Sequence, residues 1–306
     1  MVMKKKEEII VYQNPDPLLV SKQGIFPGVS LLPNNEILII FSIGQAFDSS
    51  DQRPFVTKSK DNGRTWSTPK QLHNHIYGDH EETDTLKPLL LQNGSLIATG
   101  YAFIRPDPLT PIVNPISFEV LPLKNKISFS NDDGESWTKP NSFNVLNKPL
   151  ELSGPCIQLS SGRILGACPP FHLGENDHSG WIIYSDDNGK TWGKLSEFFN
   201  TPKGEIAAWE CRLCEIDNNG VAVIFWTYDN VKKINLNNHI VYSHDGGESF
   251  DSAIDTGVRA QASNLMWLDK NIILTIHSHR EFPTGLIIRK VNIENNKFEI
   301  LEELDL

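Results

Sequence analysis

The chain has 306 residues, 39% hydrophobic and 22% charged, with a formal net charge of −10 and a pI near 5.4. Such a length allows one large buried core, and no apolar run approaches the roughly 20 residues that a membrane-spanning helix needs, so a membrane protein is not expected. The acidic balance, without any clustered Lys/Arg run, sets a repulsive mean field towards nucleic acid and anionic membrane, and neither is expected as a partner.

The N-terminal stretch MVMKKKEEIIVYQN starts basic, but IIVY is too short for a signal-peptide core and two glutamates precede it. Cytoplasmic residence is the expectation, or a secreted one if a leader has been trimmed. EEIIVYQ reads as a strand. FPGVSLLPNNEILIIF, starting at Phe26, reads as two apolar strands joined by turn residues that tolerate positive φ. A third short strand, PFVTK, leads into the octet SKDNGRTW at 59–66, and WSTPKQL continues from it as a fourth.

The same order then returns. TLKPLLLQNGSLIATG starts at Thr85, SGPCIQLSSGRILGAC at Ser153, ECRLCEIDNNGVAVIF at Glu210 and ASNLMWLDKNIILTIH at Ala262. The octet recurs as SNDDGESW at 130–137, SDDNGKTW at 185–192 and SHDGGESF at 243–250, each after an apolar strand (KISF, WIIY, HIVY). After the fifth hairpin, GLIIRKVNIENNKFEI supplies two strands without an octet. A period of roughly 50 to 70 residues suits one four-stranded blade, so the expected fold class is an all-β propeller in a single domain over 1–306. Five blades are counted. A sixth could be assembled only from terminal pieces, and EEIIVYQ would close the ring by joining the last blade.

An octet used four times is punctuation rather than four active sites. Asp61, Asp132, Asp187 and Asp245 are assigned to accept hydrogen bonds from turn amides, the glycine to supply positive φ, and the Trp or Phe to pack back between strands. A calcium loop would need alternate acidic ligands and a glutamate at the twelfth position, which no octet provides. Cys211 and Cys214 form a C-x-x-C in a strand, where residues three apart face opposite ways, so the pair is not expected to chelate or bridge. His73 with His75 and His277 with His279 pair at i, i+2 without a third ligand, so no metal and no cofactor is assigned.

The loops between second and third strands are long and hold Asp48, Arg105, Asp107, His172, His178, Trp226, Asp229 and Arg280, whereas the hairpin turns are short and bland. Function is expected on those loops and at the entries to each first strand, which bring in Asp84, Trp209, Glu210 and Gln261. A carboxylate crowded there is costly unless paired, and Arg212, two residues along, offers Glu210 a partner.

Four copies of S-x-D-x-G-x-[TS]-[WF] after strands resemble the Asp-box (BNR) repeats of the sialidase superfamily, and the hairpin unit resembles the one before each box there, over about residues 24–292. The resemblance implies a sialidase-like β-propeller of six blades, with the boxes on the face away from the active site, and a carbohydrate ligand. It matches Asp48 and Glu210 to the family's aspartate and fourth-blade glutamate as an acid/base or acid/nucleophile pair. AQAS at 260–263 and Arg280 echo the fifth-blade pattern. The match departs elsewhere: Ile25 in GIFP and Trp226 stand where the family has arginines, and the nucleophilic tyrosine of Y-S-S-L is not visible. One arginine does not reproduce a multi-guanidinium carboxylate clamp. The expectation is therefore a glycoside hydrolase-like protein for a carbohydrate that need not be sialylated. Asp84, Arg105, His178, Trp209, Gln261 and Arg280 are its substrate-binding candidates, and the alternative is a non-catalytic carbohydrate-binding or scaffold propeller. Oligomeric state is not set by the sequence.

Overall fold

The computed structural model describes residues 2–47, 49–74, 81–117, 119–171, 178–217 and 219–306, with the backbone alone at 81. Among these residues every extended regular element is a β-strand. The first sheet runs β1 (Gln23–Leu31), β2 (Ile37–Gly44), β3 (Arg53–Ser59), β4 (Lys70–Gln71). The second runs β5 (Glu81–Leu90), β6 (Leu96–Arg105), β7 (Leu123–Ser130), β8 (Asn141–Phe143), and the third β9 (Ile157–Gln158), β10 (Ile164–Cys168), β11 (Gly180–Ser185), β12 (Gly193–Phe199). The fourth contains β13 (Ile206–Ile216), β14 (Gly220–Asp229), β15 (Ile234–Asn235), β16 (His239–Ser243) and β17 (Ile254–Asp255), and the fifth β18 (Ser263–Asp269), β19 (Ile272–His279), β20 (Gly285–Asn292) and β21 (Glu299–Asp305). Strands pair in chain order within each sheet, except that β14 pairs with both β15 and β16. These are the five blades of an all-β propeller.

The recurring hairpin has a local cause. Leu32, Leu91 and Leu159 occupy the same repeat column and are buried, and the amide of each donates to a carbonyl four residues on, at Glu36, Ser95 and Arg163. Three residues after each leucine the backbone turns left-handed, at Asn35 (φ 63°), Gly94 (φ 85°) and Gly162 (φ 94°), where Asn and Gly carry little or no steric cost.

The chain forms two compact units, one of residues 9–158 and 187–192, the other of residues 1–8, 159–186 and 193–306. In the first unit, Leu32, Leu38, Ile40 and Val56 pack with Leu86, Leu96 and Ala98 of the following sheet, and Trp137 covers them. In the second, Ile216, Ile224, Ile240 and Tyr242 pack with Leu265, Ile273, Val291 and Ile293. Each core is thus the apolar face of one sheet on the next, the arrangement that stacked four-stranded blades require.

Two expectations are corrected. EEIIVYQ forms no strand: the last blade consists of its own four strands, with β21 paired to β20 from Ile287↔Asp305 to Asn292↔Glu299. The N-terminal segment instead uses side chains, with the Tyr12 ring 5.6 Å from that of Phe41. In the long loop between the second and third strands of the fourth blade, expected from the sequence to hold Trp226 and Asp229, Ile234 and Asn235 fold back on β14 as β15 and widen the blade to five strands.

Candidate functional site

The octets are closed hydrogen-bonded turns. Asp61 Oδ1 accepts from the Thr65 amide and the Ser59 hydroxyl, both at 2.8 Å, and Oδ2 accepts from the Thr65 hydroxyl at 2.6 Å. Asp132 and Asp245 repeat this with Ser136 and Ser249, and Asp187 accepts from the amide and hydroxyl of Thr191. The Trp66, Trp137 and Trp192 indoles donate to the box glycine carbonyls Gly63, Gly134 and Gly189. The Thr65 hydroxyl and amide hold the Asp61 carboxyl down at about 2, and those of Ser136 hold Asp132 at about 2. Carboxylates so fully spent on their own turns have little capacity left for a substrate.

The fourth blade carries a different kind of cluster. Trp209 on β13 lies opposite Trp226 on β14, with ring centroids 5.1 Å apart at 78°, and stacks on Tyr228 at 4.8 Å and 18°. All three rings are half-buried, so an aromatic surface remains open to a ligand. Its polar ends are anchored. Trp226 Nε1 donates to Asn235 Oδ1 at 3.1 Å, and Trp209 Nε1 donates to Nδ1 of the buried His178 at 3.4 Å.

Glu210 follows Trp209 directly. The β13–β14 register shifts between Trp209 and Arg212, and Glu210 sits in that irregularity with φ 50°, a left-handed conformation that costs a non-glycine residue on the order of 1–3 kcal/mol. Phe26 (φ 54°) and Ala262 (φ 55°) occupy the same repeat column, so the left-handed conformation recurs there; in the fourth blade it falls inside β13 rather than at its entry, and it carries a carboxylate. Arg212 Nη2 donates to Glu210 Oε2 at 3.1 Å, and the two side chains are 13% and 22% exposed.

A polar chain extends from this cluster to the fifth blade. Asn235 Nδ2 and Arg259 Nη2 both donate to Glu281 Oε1, at 3.2 and 3.0 Å, and Gln261 Nε2 approaches the same oxygen at 3.5 Å. Gln261 is buried, whereas Arg280 is exposed. Trp209, Glu210, His178 and Gln261 therefore belong to one neighbourhood of one unit. Tyr228, Asn235 and Glu281 join them without having been singled out in the sequence, where only the alternation of Trp226 with Tyr228 along β14 hinted at a shared aromatic face.

The other unit holds Asp84 and Arg105. Asp84 is 1% exposed; His73 Nε2 lies 3.2 Å from its Oδ2, while Oδ1 is buried with no hydrogen-bond partner among the described residues. Arg105 is buried too, and donates to the Thr83 hydroxyl at 3.1 Å and the Thr110 carbonyl at 2.6 Å, bracing its own loop. Asp107 and Asp229 likewise cap their loops. The Thr110 hydroxyl lowers the carboxyl pKa of Asp107, and the Lys232 amide lowers that of Asp229.

Asp48, His75 and His172 lie outside the described residues. His277 is fully occupied, with Nδ1 2.8 Å from Ser263 Oγ and Nε2 2.9 Å from Thr275 Oγ1, which leaves no lone pair for a metal. Among the described residues no three His, Cys, Asp or Glu side chains converge as a metal set. All four cysteines are free and buried, Cys211 and Cys214 included.

Comparison with known proteins fits this geometry. The BNR/Asp-box repeat family model matches residues 183–193, the third octet. No curated protein sequence matches the chain. Among solved structures, a Dyadobacter fermentans protein of unknown function aligns with 99% of this chain and 86% of its own at 22% identity and a TM-score of 0.79. The NanB sialidase of Streptococcus pneumoniae aligns over 97% of this chain at 15% identity and a TM-score of 0.68. A leech intramolecular trans-sialidase complexed with 2,7-anhydro-Neu5Ac aligns over 99% at 13% identity and a TM-score of 0.65. The chain spans 63% of the NanB chain and 64% of the leech chain. At these identities the likeness is one of fold. The chain thus carries a BNR/Asp-box repeat and has a sialidase-like β-propeller fold.

Proposed function

We propose that the protein acts on a carbohydrate as a glycoside hydrolase-like enzyme, with Glu210 as a catalytic carboxylate. The observation that carries this is the half-exposed Trp209–Trp226–Tyr228 surface beside a glutamate held in a left-handed bulge. Flat aromatic faces suit the apolar faces of sugar rings, and strained backbone with an ionisable side chain is a common mark of working sites. Ile25 and Trp226, where sialidases have arginines, favour a neutral sugar over a sialylated one.

A second reading, binding without turnover, is favoured by the Arg212–Glu210 ion pair at 3.1 Å, which already occupies one of the carboxylate oxygens. One experiment separates the two. A panel of aryl glycosides and glycans is assayed for release and for binding with wild type, Glu210→Gln and Trp209→Ala. The hydrolase reading expects release that falls on the order of 10²–10⁴-fold in Glu210→Gln, and binding weakened about tenfold in Trp209→Ala. Binding that survives Glu210→Gln, with no sugar released by wild type, selects the second reading. Binding of no glycan by wild type removes both.

A further inference from the structure

In the unit of residues 9–158 and 187–192, between the first two box turns, lies a cavity of about 450 Å³ whose walls include Lys58, Lys60, Trp66, Ser67, Lys70 and Glu135. That volume is in the range of small-ligand sites. The lining sets three lysines against one glutamate, the reverse of a chain whose net charge is −10.

The lysines differ in how far they are committed. Lys58 is 12% exposed and donates to Glu135 and, at 3.0 Å, to the Asp133 carbonyl, so it is part of the wall. Lys60 is 80% exposed and reaches Glu36 only at 3.4 Å, a pairing that costs little to break. The Lys70 ammonium makes no hydrogen bond or ion pair among the described residues, although it lies close enough to Glu135 to help lower that carboxyl's pKa, after Lys58. Two ammonium groups are therefore available to a ligand.

Trp66 supplies the second half of the recognition. Its indole N–H is spent on Gly63 at 2.9 Å, and the half-buried ring forms part of the cavity wall. The equivalent Trp192 of the third box is covered by a stacked Phe143 at 5.0 Å and 26°.

We infer that this cavity binds a saccharide bearing a tetrahedral oxyanion, a sulfate or phosphate ester, with the ring against Trp66 and the anion between Lys60 and Lys70. The lining contains no arginine, whose planar fork suits carboxylates; lysines act as point charges that a compact oxyanion satisfies from any direction. The site is independent of the proposed catalytic role of Glu210.

The test follows the Trp66 indole N–H by NMR while glucose, glucose 6-sulfate, glucose 6-phosphate and inorganic sulfate are titrated into wild type, Lys60→Gln/Lys70→Gln and Glu210→Gln. The expected result is a saturating shift with a charged sugar and none with glucose. The apparent Kd should rise about tenfold in the double-lysine variant and in 0.5 M salt, and stay unchanged in Glu210→Gln. Response to only one ester identifies which oxyanion is recognised. Equal binding of glucose, inorganic sulfate binding as tightly as the sugar ester, an unaffected double-lysine variant, or no shift with either ester would each overturn the inference.

Discussion

Protonation of His277 should destabilise the protein in mild acid, and the size of the effect follows from its surroundings. The side chain is 0% exposed, and Asn238 Nδ2 donates to Ser263 Oγ, so the Ser263 hydroxyl hydrogen is left to point at His277 Nδ1. Nε2–H then donates to Thr275 Oγ1, and the ring sits as a neutral, doubly bonded imidazole. Burial first, then the Arg289 guanidinium and His279, push its pKa down to about 3. An unfolded histidine takes up a proton near pH 6.5, which the folded protein refuses until about pH 3, so the unfolded state binds the extra proton throughout that window. The contribution is intact above about pH 6.5 and is lost progressively as the pH falls, at about 1.4 kcal/mol per unit, or about 2 kcal/mol by pH 5. Urea unfolding of wild type and His277→Gln at pH 7.5 and pH 5 measures it. Glutamine keeps a donor and an acceptor for Ser263 and Thr275 but does not titrate. His279, whose pKa is lowered by burial and by Arg289, is present in both proteins and cancels in the comparison. Wild type should lose about 2 kcal/mol more than the variant between the two pH values. An equal loss in both would refute the buried neutral imidazole.

Three further outcomes are expected. A Cβ at Gly134 (φ 78°) would stand 2.3 Å from Leu38 Cδ1, whereas one at Gly94 (φ 85°) meets nothing within 4 Å. Gly134→Ala should therefore cost about 2–4 kcal/mol and Gly94→Ala only about 1 kcal/mol, and equal melting temperatures would contradict the packing account. The Asp61 and Asp132 carboxyls, held at about 2 by hydrogen bonds to their charged form, should titrate by carbon-13 NMR well below the usual value near 4; their stabilisation is present above about pH 4 and fades towards pH 2. Burial pushes the Cys156 and Cys214 thiols up to about 12, so neither should react with a thiol reagent until the protein unfolds.

The blades were legible because their signals are local. Leucines in one column, an Asn or Gly three residues later and a Ser-Asp-Gly-Trp turn each act within a few residues of chain, and each blade repeats them. The candidate site was legible only in part. Trp209 and Glu210 stand out at a strand entry, but nothing local says that Glu210 adopts φ 50° or that Tyr228 completes the aromatic surface. The expectation that EEIIVYQ would add an edge strand failed: the last blade is four strands without it, and the segment packs through side chains such as Tyr12 on Phe41, which strand propensity does not reveal.

The sequence by itself determined that this is an all-β chain of repeated blades, with four box aspartates turned inward on their own loops. Only the tertiary structure decided which polar groups are already spent: Arg105 on Thr83, 22 residues away, Glu281 on Asn235, 46 away, and His277 on Ser263, 14 away. The physical reason is range. A turn or a strand is selected by neighbours in the chain, whereas a buried polar group takes whatever partner the packing of separate strands brings within about 3 Å.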